Sequence, residues 1–384
     1  MKQTTKPVKA ALIVLLAALM ALAMAACGGG GSPAPPAGDE PAPPAADEPA
    51  PPADTGGDEG AEAEPLVINF SSTMNQAETG GQIIQHFIDN LGAISGGNIT
   101  VNITWGGTLF DTMGEFDAVS DGAVNMVALG HMPHTGTLNY LGFPGFAPGG
   151  PEGAIDYFND IMFGNPETSA LVDAEAESFG IKYLNAIAGG ANALCAKFEF
   201  TDLDSLVAGS AAFANFMPPQ WESLGFHVVP LPPPDIYDAF NRGMCDATQM
   251  GLTPMVSLSW YEVAPYWALD GTYSAGNLFT VNLDWWNGLS AEQQGLIQQA
   301  ATEVSEYSKA INVDAIGGDV KTIEDATGNA FVELGQADLD RLWASCFEAT
   351  SEGALKAAEA NGKADGMRTI LEEAARFTGY DWQG

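Results

Sequence analysis

Positive charge is what this sequence has least of. Against 49 aspartates and glutamates, its 384 residues carry 13 lysines and arginines, for a formal net charge of −36. Such a surface repels phosphate backbones and anionic lipid, which excludes nucleic acid as a partner. The acids are scattered rather than blocked, as on a solvated, soluble surface. Cysteine is scarce too. Beyond Cys27 there are Cys195, Cys245 and Cys346, widely spaced, which make neither a disulfide framework nor a zinc ribbon. They read as small buried hydrophobes, with a single bridge left open by an oxidising compartment. Catalytic signatures are missing: no Gly-x-Ser-x-Gly elbow, no His-Glu-x-x-His and no P-loop Gly-Lys-Ser/Thr. No Asp-x-Asp-x-Asp-Gly loop offers calcium a site. After the N-terminus, no apolar run is long enough to cross a bilayer.

The N-terminus has the order of a secretory signal. Lys2, Lys6 and Lys9 form a basic start, "AALIVLLAALMALAMAA" an apolar run, and Ala25 and Ala26 a small pair before Cys27. Residues 1–26 are therefore read as a signal peptide, against a plain cleaved signal or a barely sufficient membrane anchor. Residues 27–64 follow as a tether of Pro, Ala and acids in which "DEPAPPA" occurs twice. Such a segment cannot bury a core, and as polyproline II it reaches on the order of 100 Å at most.

From residue 65 the pattern becomes that of a folded body. "PLVINF" is a short strand, and Ile83, Ile84, Phe87, Ile88 and Leu91 then recur at helical spacing. In "NITVNITW" the apolar residues alternate, as in a half-buried strand; "AVNMVALG" is apolar throughout, as in a strand buried on both faces. The alternation of strand and helix predicts βαβ units and a largely parallel sheet. The rhythm repeats after "ESFG" (177–180) and "ESLG" (222–225), whose glycines fit left-handed helix caps. Ser290 with Gln293 makes a capping box for a long helix. The fold class is α/β, with two lobes facing across a cleft and a long helix along both. The expected divisions are lobe 1 at 65–188 (with part of 275–335 returning to it), lobe 2 at 189–274, the long helix at 288–318 and C-terminal helices at 336–384. Open α/β sheets bind ligands beyond the carboxyl ends of their strands, and two such lobes can hinge shut.

The order of several segments resembles one family. "NITWGGTLFDTMGEFDAVSDGAVNMVALG" is similar to its strand, Gly-Gly turn, helix and strand; "LGFPGF" sits where it has a Leu-Pro-Phe turn. "ESLGFHVVPLPPPDIYDAFNRGMCDA" and "WWNGLSAEQQGLIQQAA" continue the match, over about residues 66–350. The family is the extracytoplasmic solute-binding proteins of tripartite ATP-independent periplasmic (TRAP) transporters. The resemblance implies a periplasmic-binding-protein-like fold that traps one small organic solute and docks on small and large membrane subunits driven by an ion gradient. It implies no cofactor. The small residues before Cys27 resemble a bacterial lipobox, with Met24 where Leu is usual, which implies a lipidated Cys27 and a membrane-anchored protein outside the cytoplasm. The same fold serving as an orphan or sensory receptor is the alternative; a lipid-anchored hydrolase is a more distant one.

Most relatives carry an arginine on the strand after a "DL" segment, and its guanidinium clamps the solute's carboxylate. Here that strand falls in "LVAGSAAFANF" with Ala211 as the matching position, and no residue from 206 to 217 is basic. A second position, often arginine, falls near Asn192. Arg242 reads as a solvated helix end, and Lys197 as a surface side chain beside the hinge. An unpaired carboxylate in a desolvated cleft is costly, so the expected solute is neutral, zwitterionic or cationic, or else an anion bridged by a metal such as calcium. Strand ends nominate the cleft residues Thr73, Asn75, Trp105, Gly106, Gly107, Gly130, His131, Phe213, Asn215, Gln249, Met250 and Tyr273, and the arginine positions that the resemblance implies add Asn192 and Ala211. For Trp105, Phe213 and Met250, simple core packing is the plainer reading. His131 and His134 resemble a metal pair, but Pro133 breaks the helix that would align them.

Overall fold

Two sheets carry the body. The computed structural model describes residues 65–130, 134–215, 217–274 and 276–384. The signal segment, Cys27, the tether and His131 lie outside them. The strands are β1 (Leu66–Ser71), β2 (Ile99–Thr104), β3 (Met126–Gly130), β4 (Phe146–Ala147), β5 (Ile181–Ile187), β6 (Ala191–Ala196), β7 (Phe213–Asn215), β8 (Val228–Pro230), β9 (Ala247–Gly251), β10 (Tyr266–Ser274) and β11 (Asn277–Asn282). The first sheet runs β2-β1-β3-β11-β5, with β1 parallel to β2 and β3, and β11 antiparallel to both its neighbours. The second runs β4-β10-β6-β9-β7-β8. The chain changes sheet between β3 and β4, β4 and β5, β5 and β6, and β10 and β11. Helix Thr79–Ile94 buries Ile83, Ile84, Phe87 and Leu91 against Phe70, Met126 and Phe279 of the first sheet. Those are the residues its helical spacing selects.

β5 continues into β6, and β10 into β11, so two short segments join the lobes. They are stitched to each other: Gly189 N–H donates to Ser274 O at 2.7 Å, and Ser274 N–H to Gly190 O at 3.1 Å. A Cβ on Gly189 would stand 2.9 Å from Ser274 Cβ, so the close approach requires glycine.

The long helix runs Ala291–Thr327. Ser290 and Gln293 cap it reciprocally, and Gly328 at φ 72° ends it. Its first part packs Ile297, Ala300, Ala301 and Val304 on the first lobe; Ile323 lies in a cluster of the second, with Ile316 and Val320 against it. Between these contacts it grips the crossing segment. Ser305 Oγ donates to Ala186 O at 2.8 Å, Ala188 N–H to Ser308 Oγ at 2.8 Å, and Asn312 Nδ2 to Ala188 O at 2.9 Å. The helix extends beyond the expected end at 318. Two helical glycines, Gly317 and Gly318, cost only about 1 kcal/mol each, and the apolar spacing beyond them still finds a core.

The stretch 206–217, expected as one strand, divides. Asp202 and Ser205 form a capping box that starts helix Leu203–Gly209, and only Phe213–Asn215 enter the sheet. A local polar cap outweighed the apolar run.

Candidate functional site

A cavity of about 280 Å³ opens at the ends of β6, β9 and β10. Asn192, Gln249, Met250, Thr272 and Ser274 line it from the strands, and Thr253 and Pro254 from helix Leu252–Ser257. Phe146, Met217, Gln220 and Cys346 complete its walls. A second cavity, of about 400 Å³, lies between the lobes, with Met74, Glu78 and Gly80 on one side, Thr253, Pro254 and Leu258 on the other, and Gly190, Asn277 and Asn312 at its back. The two share Gly190, Thr253 and Pro254 and so adjoin. No lysine or arginine is among the residues lining either.

A buried polar network backs the first cavity. Asp270, 2% exposed, accepts from Thr272 N–H at 2.9 Å and Thr272 Oγ1 at 2.7 Å on one oxygen, and from Gln249 Nε2 at 2.7 Å on the other. Asn192 Nδ2 donates to Thr272 Oγ1 at 2.9 Å, and Asn215 Nδ2 to Gln249 O at 2.8 Å. Burial pushes the Asp270 carboxyl up, against the opposing pull of its hydrogen bonds. Asp319 of the long helix accepts from Thr253 Oγ1 at 2.6 Å, and burial raises its carboxyl as well.

The two lobes, the crossing segments and the shared helix define an architecture with known counterparts. Residues 175–352 match the family described as bacterial extracellular solute-binding protein, family 7. The C4-dicarboxylate-binding periplasmic protein DctP of Rhodobacter capsulatus is 22% identical over 71% of this chain and 82% of its own. A TRAP periplasmic solute-binding protein from Ochrobactrum anthropi, its C-terminus bound in the ligand-binding pocket, superposes with a TM-score of 0.70 at 19% identity, over 83% of this chain and 97% of its own. The ectoine-binding protein TeaA of the TeaABC TRAP transporter, in its apo-state, gives 0.69 at 14% identity, over 82% and 99%.

Residues 175–352 are similar to that family, and the described body has the fold of TRAP periplasmic solute-binding proteins.

Among the described residues, no helix is long and apolar enough to cross a membrane. Of the residues nominated from sequence, the structure brings Asn192, Gln249 and Met250 into the first cavity. Asn215 stands just behind, holding Gln249. Thr73, Asn75, Trp105, Gly106 and Gly107 come together at the end of the first sheet, where Gly106 N–H reaches Met74 O and Gly107 N–H reaches Ser72 O, both at 3.0 Å. They line neither cavity; Met74 and Glu78 beside them do. Gly130 ends β3 opposite Asn277.

Three nominations are corrected. Ala211 lies in an exposed bend before β7, so it is no strand position at all. Phe213 is fully buried, between Trp221 and Phe226 with ring centroids 4.8 and 4.3 Å away, and is core. Tyr273 lies in a separate groove with Leu269 and Leu339, because strand alternation sends its neighbours Thr272 and Ser274 into the cavity and Tyr273 to the other face. Arg242 caps helix Pro233–Asn241 in solvent, its side chain 70% exposed, 3.4 Å from Asp238. Lys197 donates to Phe240 O and lies over that ring. The three cysteines are free and buried, and burial raises their thiols. His134 stands by Thr112 O at 3.2 Å. Among the described residues, no group of three or more His, Cys, Asp or Glu is placed to hold a metal.

Thr272, Thr253, Met217 and Cys346 were missed. Threonines and a methionine carry no motif, and Cys346 arrives from a helix far along the chain. A strand reading of "GTYSAG" with strict alternation was the one signal that could have found Thr272.

Proposed function

We propose that this protein is the extracytoplasmic receptor of a TRAP transporter that binds its small organic solute without an arginine–carboxylate clamp. One observation carries the reading: the cavity walls hold amides, hydroxyls and thioethers, with no lysine or arginine among them. Asn192 stands near a position that is often arginine in the family the sequence resembles, and β7 ends in Asn215. A free carboxylate entering there would lose its water with no cation to meet it, at several kcal/mol. The named ligands of relatives of this fold range from C4-dicarboxylates to ectoine, so the fold leaves the solute open and the wall chemistry decides it. Closure on the solute would present the protein to the two membrane subunits, and Cys27, lipidated, would hold it near them on its tether.

The test is calorimetric titration with simple mono- and dicarboxylates in the presence of a chelator. The reading expects no binding in the micromolar range; tight, metal-independent binding of such an acid would reject it.

A further inference from the structure

We infer that Asp270 sets the hydrogen-bond polarity of the first cavity, turning amide oxygens toward the solute and so selecting one that carries N–H or O–H donors. The inference rests on the receptor reading above and adds a ligand class to it.

The argument follows the protons. As a carboxylate, Asp270 can only accept. The Thr272 hydroxyl has one proton, and it lies toward Asp270 at 2.7 Å. Toward Asn192 that hydroxyl can then only accept, so the Asn192 amide turns its Nδ2 to it, at 2.9 Å. Asn192 Oδ1 is left with no hydrogen-bond partner among the described residues, on a residue that lines the cavity. Gln249 is fixed in the same way. Its Nε2 is held by Asp270 at 2.7 Å, so the other end of the amide is an oxygen. Asn215 Nδ2 gives one proton to the backbone Gln249 O at 2.8 Å and reaches the amide oxygen, Oε1, only at 3.5 Å, a long contact that leaves it able to accept from a solute.

A second carboxylate repeats the device independently. Asp319 takes the proton of Thr253 Oγ1 at 2.6 Å, which leaves another accepting oxygen at the junction of the two cavities. Ser274, whose Oγ accepts from Gly276 N–H at 2.8 Å, keeps its proton and is a neutral donor in the wall. A solute with a cationic or amide N–H group satisfies these acceptors, and one that also carries an acceptor can use Ser274. A bare carboxylate would leave buried acceptors unpaired, which is how a polar site rejects a wrong ligand.

The test uses the purified protein and a library of ammonium, primary-amide and carboxylate compounds matched on shared short skeletons, screened by thermal shift and followed by calorimetry. For wild type, the ammonium or amide member should bind at least about tenfold tighter than its carboxylate partner. In Asp270→Asn the new Nδ2 confronts Gln249 Nε2, the Gln249 amide turns over, and that ratio should fall about tenfold or reverse. Thr272→Val cuts the relay to Asn192 and should move the ratio the same way, should Asp270→Asn not fold. A ratio unmoved in either folded variant overturns the inference while leaving the clamp-free receptor reading intact; a carboxylate as the tightest wild-type ligand overturns both. Failure of every compound to bind defeats both.

Discussion

Glu115 is a buried acid that no cation among the described residues answers. It is 1% exposed, behind the end of β1, where Ser71 Oγ donates to it at 3.3 Å. Burial, opposed by that bond and one from the Thr73 backbone, raises its carboxyl to about 8. Between the usual 4.5 and about 8 the native protein holds a proton that the unfolded chain has lost. Stability therefore falls as pH rises through that window, and the full cost is present above it. Glu115→Gln should stabilise the protein at about pH 9 by on the order of 1–3 kcal/mol and do little near pH 5. Denaturant unfolding at both pH values checks this; equal effects would refute it. Nothing in the sequence sets Glu115 apart from the other acids, because burial is a property of what lands on a residue. The same limit misplaced Phe213: an aromatic at a strand end looks alike whether it faces a ligand or a core. That Gln249 lines a cavity was legible because open sheets bind at the ends of their strands, and that Asn192 does was legible only through the resemblance.

At the scale of elements, the crossing segments and the long helix decide how the lobes are joined. Gly276 has φ 70°, and a Cβ there would meet Ile187 O at 3.0 Å and Gly189 N at 3.1 Å. Gly276→Ala should cost roughly 1–3 kcal/mol. Thermal unfolding would show it as a lowered Tm, and an unchanged Tm would argue that the crossing yields. Strand and helix types were largely legible, since period two and period 3.6 are written in the residues themselves. Ends were less so. The long helix overran because tertiary packing beyond Gly318 was invisible, and the 206–217 stretch broke because its cap, Asp202, lay just outside the run that drew attention.

For the whole molecule, charge and attachment matter most. A chain this acidic stays clear of anionic lipid unless something covalent holds it. The proposed anchor makes Cys27→Ser a direct probe: fractionation of the producing cells should move the protein from the membrane to the soluble fraction. Retention at the membrane would argue against lipidation. The two-lobed design was legible at this scale because each lobe repeats a strand-and-helix rhythm, whereas the chemistry of the cleft emerges only where β6, β9 and β10 meet. The account's central claim is that the solute is held without a fixed cation. The most direct measurement is a crystal structure of the protein with solute retained from the producing cells. The account predicts density in the cavity beside Asn192 and Gln249, with no guanidinium or ammonium from the protein in contact with it. A carboxylate gripped there by Arg242, Lys197 or any other basic side chain would contradict it.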